Sequence, residues 1–403
     1  MAAAVAASQI SRATVVGKTS STISKSINAQ NAIRRTNNSI LEPGQTVVIP
    51  RWWTGRYDAV CDPARFLVDG QGKITKADLH ANSDLGQELQ HKYNDVGLVH
   101  VHNTGLTNMA DQRTLARILM GEETEYEGGA NPRGRAADLG NVYDIGAPLE
   151  AALAYHHEVT YKSHSVESLG FLCKHAVQRD QVGWSFVSDS VQAHDYIMTT
   201  PLGQKLKEKG LCFVRRMTDA TSERDIGALD HDNPSLTVYN HWQQSWMTND
   251  PEEAEAAAHK QGLLVEWVPQ VGGGHMMQTR YYKSAFEYVP GLDRNIMATS
   301  IADDGEWFDS WPGIKDVPQE LRPLEMYFGD DTPFTLEEKQ AWTDAYDMFG
   351  IPLPWQAGDV AVLCNLRYAH GRPGIHLLPG EQRELGVMLG SFFERQETKE
   401  GKW

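Results

Sequence analysis

The sequence predicts a mainly β protein, a β-sandwich or jelly roll decorated by helices and long loops. Many short β-branched runs are separated by long inserts, and the helical patterns gather in the middle of the chain instead of alternating with strands. No parallel βαβ repeat, internal repeat or Gly/Pro-rich linker divides the body. We therefore expect one domain over residues 42–403, preceded by an N-terminal arm of residues 1–41.

Hydrophobic periodicity places the elements in chain order. Strands are predicted at 45–50, 97–102, 151–161, 169–173, 211–216, 359–365, 384–389 and 391–394. Helices are predicted at 106–120, 188–209, 251–261 and 335–349, the third capped by Asn249 or Asp250 and the last by Thr335. The segment 123–148 is rich in Gly, Asn, Asp and Arg, which predicts a long and functional loop. Gly272–Gly274 lacks the context of a phosphate loop and predicts a mobile hairpin or lid.

The N-terminal arm has its own composition. Its residues are rich in Ser, Thr and Ala, and the first acidic residue of the chain is Glu42. Such a composition is typical of an organelle transit peptide, and it is equally compatible with a disordered or strand-swapped arm. The apolar stretch at 2–7 is too short for a secretory signal, so we expect an intracellular, cytoplasmic protein unless the arm directs import.

The charge balance limits the partners. The chain has 37 Lys and Arg against 53 Asp and Glu, and its formal net charge of −16 disfavours a nucleic-acid partner. No apolar run is long enough to span a bilayer. The four cysteines are scattered without a CxxC pair, which predicts reduced thiols. A small-molecule substrate is the expected partner, and the sequence leaves open whether the chain forms a homo-oligomer.

Residues 155–158 read Tyr-His-His-Glu. On a strand, side chains two positions apart share a face, so His156 and Glu158 would point together while His157 would point into the packing. One imidazole and one carboxylate are two thirds of a facial triad for iron. A chain with fifteen histidines and 53 acidic residues supplies such a pair by chance, so the pair alone favours a structural histidine.

A second constellation lies between residues 355 and 383. A Gly-Asp turn precedes an apolar strand, and His370 is predicted to lie where that strand ends. Arg383 opens the next predicted strand, which we expect to pair with the first and to bring a guanidinium near His370. A buried arginine binds a carboxylate through its planar fork, although for Arg383 taken alone a surface ion pair with Glu381 or Glu384 is the favoured explanation.

Taken together, these blocks resemble the taurine dioxygenase-like (TauD/TfdA), or clavaminate-synthase-like, family of iron(II)/2-oxoglutarate oxygenases. The resemblance extends from about residue 45 to residue 393. It rests on the ordered blocks 97–106, 132–133 with 141–143, 156–161, 210–216, 242–246, 306–308 and 358–383. The resemblance implies a double-stranded β-helix core, an iron(II) cofactor, and 2-oxoglutarate and O2 as cosubstrates.

The resemblance also implies roles for individual residues. His156, Glu158 and His370 would bind iron, and Arg383 would bind the distal carboxylate of 2-oxoglutarate. Ser185 occupies the position where the family often has a threonine that contacts the same carboxylate. The surrounding Gly-Trp-Ser differs from the family's usual sequence motif. Arg372 would either position a carboxylate or support its turn. The carboxylate ligand favours oxygenation or desaturation over halogenation, since halogenating relatives lack it.

The substrate is less defined by the sequence. The resemblance implies oxidation of a C–H bond in a small polar, carboxylate-bearing substrate of specialised metabolism, with Arg133, Asn141 and Tyr143 as candidate substrate contacts. The chain also looks similar to algal kainoid synthases, which cyclise a prenylated glutamate oxidatively; a taurine-type hydroxylase is the alternative. A zinc-dependent hydrolase and a non-catalytic jelly-roll binding protein are the alternatives from other classes.

Two further groups of residues carry side chains that could form a site. His100 and His102 share a strand face without a third ligand, so core or pocket-lining roles are expected for them. Trp242, Trp246, Trp307 and Trp311 are expected in the core, because the acidic chain disfavours a base-stacking platform.

Overall fold

The computed structural model describes residues 62–126, 139–145, 147–179, 182–222, 241–270, 272–298 and 322–395. The arm at 1–41, the strand at 45–50, the block at 306–308, Arg133, Trp307 and Trp311 lie outside these residues. The division into an arm and one domain therefore stays a prediction.

The described residues form mainly strands. The strands are β1 Leu67–Asp69, β2 Leu98–His102, β3 Glu123–Thr124, β4 Val142–Asp144, β5 Leu153–His156, β6 His164–His175, β7 Ser185–Asp189, β8 Leu211–Met217, β9 Leu264–Pro269, β10 His275–Lys283, β11 Phe286–Val289, β12 Arg294–Met297, β13 Leu324–Phe328, β14 Gly350–Leu353, β15 Val360–Cys364, β16 Tyr368–Arg372 and β17 Glu384–Glu394. The helices are α1 Asp84–Val96, α2 Met109–Met120, α3 Ser190–Ile197, α4 Pro201–Lys209, α5 Trp242–Trp246, α6 Pro251–Lys260 and α7 Leu336–Met348. None of these helices is long and apolar enough to cross a membrane.

Two sheets form the double-stranded β-helix core. The larger has the order β1-β2-β15-β6-β17-β3, with β4 also paired to β17, and the smaller has the order β14-β7-β16-β5. One apolar cluster joins them, because Leu169 and Leu363 of the larger sheet pack with Val187, Leu353 and Tyr368 of the smaller one. Apolar side chains of both sheets thus meet in a shared interior, as in sheet-on-sheet packing.

Helices cover the outer faces of both sheets. Leu89 of α1 and Leu115 of α2 pack with Val99 and Val362 of the larger sheet. Behind the smaller sheet, Phe186 and Ala369 pack with residues of α3, α4, α7, β8 and β13. A third sheet has the order β13-β8-β10-β9, and β11 pairs with β12. The smaller sheet is therefore buried on both faces, which keeps its strand positions fixed.

Several predicted local features are confirmed, among them helix caps, buried tryptophans and a hairpin. Thr335 caps α7 with a capping box in which Thr335 and Glu338 exchange hydrogen bonds. Asp250 caps α6 by accepting from the Glu252 N–H. Trp242 and Trp246 are buried, and Gly272–Gly274 connect β9 to β10 as a hairpin. The caps and the hairpin could be predicted from the sequence because both depend on residues that are neighbours along the chain.

Other expectations were wrong. The predicted helix at 188–209 is two helices, since Asp189 ends β7 and caps α3, and Pro201 begins α4 after a break. The predicted loop at 123–148 contains β3 and β4, both paired to β17. Tertiary pairing makes strands of these segments, whose own sequence carries little periodicity.

The predicted pairing after His370 was also wrong. His370 does not end the strand at 360–364; it lies on a separate strand, β16, in the smaller sheet. The strand after Arg383, β17, pairs with β6 instead of with β15 or β16. It is also one continuous strand where two runs were predicted. Arg383 is therefore positioned by the pairing of β17 with β6, which the sequence did not predict.

Candidate metal centre

His156 and His370 face each other across two neighbouring strands. In the register of β5 and β16 the two histidines are directly opposed. Opposed residues of an antiparallel pair point to the same side of the sheet. Their ring centroids lie 4.2 Å apart, with an angle of 47° between the ring planes. Cross-strand pairing thus brings together two imidazoles that are more than two hundred positions apart in sequence.

Glu158 joins the histidines through a turn. Strand β5 ends at His156, so the strand alternation used to predict the pair does not extend to Glu158. Instead the chain turns, and Val159 adopts a left-handed φ of 61°. The turn places Glu158 Oε2 3.9 Å from His370 Nε2. His157 points away and lies 2.9 Å from Ser190 Oγ through Nε2, as predicted.

The three side chains form a cluster that can hold one metal ion. One ligand atom from each of His156, Glu158 and His370 lies within 4.8 Å of the other two. His156 Nδ1 lies 2.9 Å from the Ala154 carbonyl oxygen, so the backbone orients the ring. Two histidines and one carboxylate are the donor set of non-haem iron(II) oxygenases, and this set leaves coordination positions open. The donor chemistry therefore fits iron(II).

A second polar group joins Ser185, on the same sheet as the histidines, to Arg383 in the loop before β17. The Arg383 guanidinium donates from Nε to the Gly183 carbonyl oxygen at 2.8 Å and from Nη2 to Ser185 Oγ at 3.2 Å. Trp355 Nε1 also donates to Ser185 Oγ, at 3.0 Å. Because a hydroxyl has two acceptor sites and one hydrogen, two incoming donors leave the Ser185 hydrogen to donate elsewhere. Arg383 Nη1 is buried without a hydrogen-bond partner among the described residues.

The electrostatics around Arg383 favour an anion. Burial lowers the pKa of Arg383 to about 10. Burial, reinforced by repulsion from Arg383, lowers the pKa of Arg372 to about 9 against an opposing effect of Glu150. An arginine does not deprotonate in a protein, so a buried guanidinium needs a compensating negative charge. Arg383 Nη1 has no hydrogen-bond partner among the described residues, and together with the Ser185 hydrogen and the positive charge of Arg383 it fits a carboxylate such as that of 2-oxoglutarate.

Sheet register relates this pair to the metal cluster. Val187 of β7 is opposed to His370 of β16. Ser185 lies two positions before Val187, so its side chain leaves the same face of the sheet as that of His370. Two residues along a strand span about 7 Å. The Arg383–Ser185 pair therefore lies on the same side of the smaller sheet as the histidines, and it is displaced from them along the direction of strand β7.

Arg372 supports the backbone. Its Nη1 and Nη2 donate to the backbone carbonyls of Ala147, Pro148, Leu149, Ala151 and Pro373, at 2.7 to 3.3 Å. These contacts occupy both terminal nitrogens of the guanidinium. Of the two roles that the sequence left open, support of the neighbouring turn is the one that these contacts favour.

Three residues near the site were not predicted. Asn365 is fully buried and accepts from the Glu158 N–H at 2.8 Å while donating to the Glu158 carbonyl at 3.1 Å. Trp355 donates to Ser185, and Arg395 donates to the carbonyl of Val159. An asparagine after an apolar strand has no recognisable signature, because its role depends on a partner 207 residues away.

The other predicted contacts lie elsewhere. Tyr143 is buried on β4 with its ring 4.8 Å from that of Tyr126, and Asn141 immediately precedes β4. His100 is buried 3.3 Å from the Asp359 carboxylate and packs against Trp355, which confirms its role in the core. The substrate roles of Arg133, Asn141 and Tyr143 stay predictions.

Comparisons with known proteins give one sequence relative. No protein-family model matches the chain. A clavaminate synthase-like protein of Arabidopsis thaliana is 23% identical over 252 residues, which cover 62% of this chain and 69% of the relative. A solved taurine dioxygenase from Burkholderia xenovorans is 12% identical over 80% of this chain and 85% of its own, with a TM-score of 0.41. The PvcB protein of Pseudomonas aeruginosa is 12% identical over 84% of this chain and 90% of its own, with a TM-score of 0.42.

The sequence likeness and the geometry of the site are the two observations that bear on function. The sequence match extends over more than half of the chain. The two-histidine, one-carboxylate cluster agrees with that relationship, because it is the donor set of non-haem iron(II) oxygenases. The chain is thus similar in sequence to a clavaminate synthase-like protein, and its described residues include the two-histidine, one-carboxylate donor set of a non-haem iron(II) site.

Proposed function

We propose that His156, Glu158 and His370 bind the catalytic iron(II), and that Arg383 and Ser185 bind the distal carboxylate of 2-oxoglutarate. The observation that carries the proposal is the cluster itself, whose three ligand atoms lie within 4.8 Å of one another. A structural histidine pair does not require a buried carboxylate beside it, whereas the facial site of a non-haem iron(II) oxygenase does.

Each residue has a physical task in this reaction. Iron(II), when bound, couples the oxidative decarboxylation of 2-oxoglutarate by O2 to the oxidation of a substrate C–H bond. The Glu158 carboxylate offsets one of the two positive charges of the ion, so the site keeps a positive charge that attracts an anionic cosubstrate. Arg383 supplies a second positive charge along the sheet. Ser185 donates its remaining hydrogen to the distal carboxylate of 2-oxoglutarate. This bond orients the cosubstrate between the metal ion and Arg383.

Burial strengthens these interactions. Glu158 is 5% exposed and Arg383 is 9% exposed, so bulk water screens their charges weakly. His156 and His370 are only partly buried, which leaves access to the ligand atoms. The chain thereby holds the cosubstrate against a preformed set of donors and leaves one side of the site for the substrate.

The substrate that we propose is small, polar and carboxylate-bearing, similar to an amino acid. Oxidative cyclisation of a prenylated glutamate in specialised metabolism is the specific reaction suggested by the likeness to kainoid synthases. Hydroxylation of taurine or another sulfonate is the alternative. Arg133, Asn141 and Tyr143 remain the candidate contacts for the acidic group of either substrate.

Anaerobic titration with Fe(II) and 2-oxoglutarate tests the proposed site. The oxygenase should develop the weak visible charge-transfer band of the iron–2-oxoglutarate chelate, and His370→Ala should abolish it. A zinc-dependent hydrolase or a non-catalytic binding protein would give no such band. The absence of a band, or a band that survives His370→Ala, would contradict the proposed ligands.

The substrate class requires a separate measurement. Succinate release should be screened over prenylated and unmodified amino acids and over sulfonates, with wild-type protein and His370→Ala as the background. Stimulation by carboxylate-bearing compounds alone supports the amino-acid class. Stimulation by taurine alone would favour the sulfonate alternative.

A further inference from the structure

The turn that carries Glu158 has a conformation that needs support. Val159 follows Glu158 directly and has a φ of 61°. This left-handed region is strongly disfavoured for a β-branched residue, so the conformation persists only where surrounding contacts hold it. A chain free of those contacts would relax at Val159 and move Glu158 away from the histidines.

Asn365 holds the peptide on one side of this residue. Its side chain bonds the N–H and the carbonyl of Glu158, and it also donates to the Val166 carbonyl at 3.0 Å. Ser165 Oγ donates to the same Glu158 carbonyl at 3.2 Å. The main chain of Glu158 is therefore fixed to β6 through Asn365 and Ser165.

Arg395 holds the peptide on the other side. It lies directly after β17, and its Nη2 donates to the Val159 carbonyl at 2.7 Å. Its Nε donates to the Lys162 carbonyl at 2.8 Å, so one guanidinium spans the turn from 159 to 162. A planar fork with several fixed donors is suited to such a task.

Glu287 fixes the guanidinium in turn. Arg395 Nη1 donates to Glu287 Oε1, and both side chains of this ion pair are buried, at 8% and 5% exposure. A buried ion pair is costly to desolvate, so its presence alone is weak evidence for a gain in stability. Here the pair orients a guanidinium whose other nitrogens bond to the turn beside a proposed metal ligand.

We propose that Arg395 is a positioning residue of the metal centre. Held by Glu287, it fixes the turn at Val159 and, together with Asn365, sets the place of the Glu158 carboxylate. The inference rests on the proposed function, since it assumes that Glu158 binds the metal. Arg395 itself touches neither metal nor cosubstrate in this role.

Binding of Mn(II) to the full-length protein, followed by electron paramagnetic resonance, tests the inference without catalysis. Arg395→Lys keeps the positive charge and loses the planar fork, and Glu287→Gln keeps the size of the side chain and loses its charge. Substitution of residues that orient metal ligands typically lowers metal affinity by about 10- to 100-fold. We expect a loss of Mn(II) affinity in this range for Arg395→Lys, and a smaller loss in the same direction for Glu287→Gln.

A matched control separates positioning from general loss of stability. Arg113 forms a bidentate ion pair with Glu123, at 2.9 and 2.6 Å, and it contacts none of the three proposed ligands. Arg113→Lys should lower the melting temperature and leave Mn(II) affinity unchanged. Glu158→Ala reports on the proposed function itself and should weaken Mn(II) binding.

The outcomes are distinguishable. If Glu158→Ala weakens Mn(II) binding while Arg395→Lys and Glu287→Gln bind as the wild type does, the positioning role is overturned and the proposed site stands. If Glu158→Ala binds Mn(II) unchanged, both proposals fall. Where Arg395→Lys does not fold, Glu287→Gln decides, because it preserves a hydrogen-bond acceptor for Arg395.

Discussion

Arg383 Nη2 donates a hydrogen bond to Ser185 Oγ across 3.2 Å, although 198 residues separate the two in sequence. The pair unites the end of the loop before β17 with the beginning of β7, and it leaves Arg383 Nη1 without a partner among the described residues. This arrangement supports the proposal that Arg383 and Ser185 bind one carboxylate.

Replacing Arg383 should weaken 2-oxoglutarate binding. Arg383→Met removes a charge-assisted hydrogen bond of about 1.5–3 kcal/mol, so the KM for 2-oxoglutarate should rise by roughly 10- to 150-fold. Arg383→Lys keeps the charge and should fall between Arg383→Met and wild type. Succinate release at saturating iron measures this change. An unchanged KM in Arg383→Met would show that the carboxylate binds elsewhere.

Trp355 should act through Ser185. Trp355→Phe removes the indole N–H that donates to Ser185 Oγ, a neutral bond of about 0.5–1.5 kcal/mol. We expect the KM for 2-oxoglutarate to rise roughly two- to tenfold. In Ser185→Ala the same tryptophan substitution should have little further effect, because the acceptor is gone. Additive effects of the two substitutions would contradict the link.

Arg372→Lys should lower the free energy of unfolding, and it should have little effect on the KM for 2-oxoglutarate. A lysine cannot reach the carbonyls of Ala147, Pro148, Leu149, Ala151 and Pro373 together. Each buried carbonyl left unpaired costs about 1–3 kcal/mol, so urea unfolding should show a loss of at least about 2 kcal/mol. A stable variant with a raised KM for 2-oxoglutarate would instead assign Arg372 to a carboxylate.

Lys283 should make stability depend on pH. Burial, with repulsion from Arg395, lowers its pKa to about 7 against the opposing effect of Glu287, and Nζ has no hydrogen-bond partner among the described residues. Because the unfolded chain binds this proton more tightly, the resulting destabilisation is full below pH 7 and shrinks as pH rises towards the ordinary lysine value.

Lys283→Met removes this titration and is the test. It should be more stable than wild type at pH 7, and the difference in free energy of unfolding should narrow by up to about 1.4 kcal/mol per pH unit above pH 7. Urea unfolding of both proteins at several pH values between 7 and 9.5 measures the change. A difference that is constant with pH would show that Lys283 does not titrate in this range.

The cap of α7 gives a local prediction. Thr335→Ala removes the hydroxyl that accepts from the Glu338 N–H at 3.2 Å. The loss should be about 1 kcal/mol of unfolding free energy, and Thr335→Ser should retain most of the stability. Urea unfolding measures both variants, and equal stability of Thr335→Ala and wild type would show that this cap contributes nothing.

The sequence by itself determined the features that depend on nearby residues. The caps at Asp250 and Thr335, the hairpin at Gly272–Gly274 and the buried strand at β15 follow from local propensity and periodicity. The three proposed ligands were also named from sequence, because the order of the motif blocks resembles a family whose ligands occupy those blocks. Strand alternation predicted that His156 and Glu158 point together. The structure does bring them together, but through a turn, because strand β5 ends at His156.

Only the tertiary structure decided how those residues meet. The opposition of His156 to His370 depends on which strands pair and in which register, and the approach of Arg383 to Ser185 depends on a strand that pairs with β6. Asn365 and Arg395 contact the Glu158 turn from 207 and 236 residues away in sequence. Such contacts are set by the packing of two sheets, and local sequence preferences carry no information about which distant partner a buried side chain will meet.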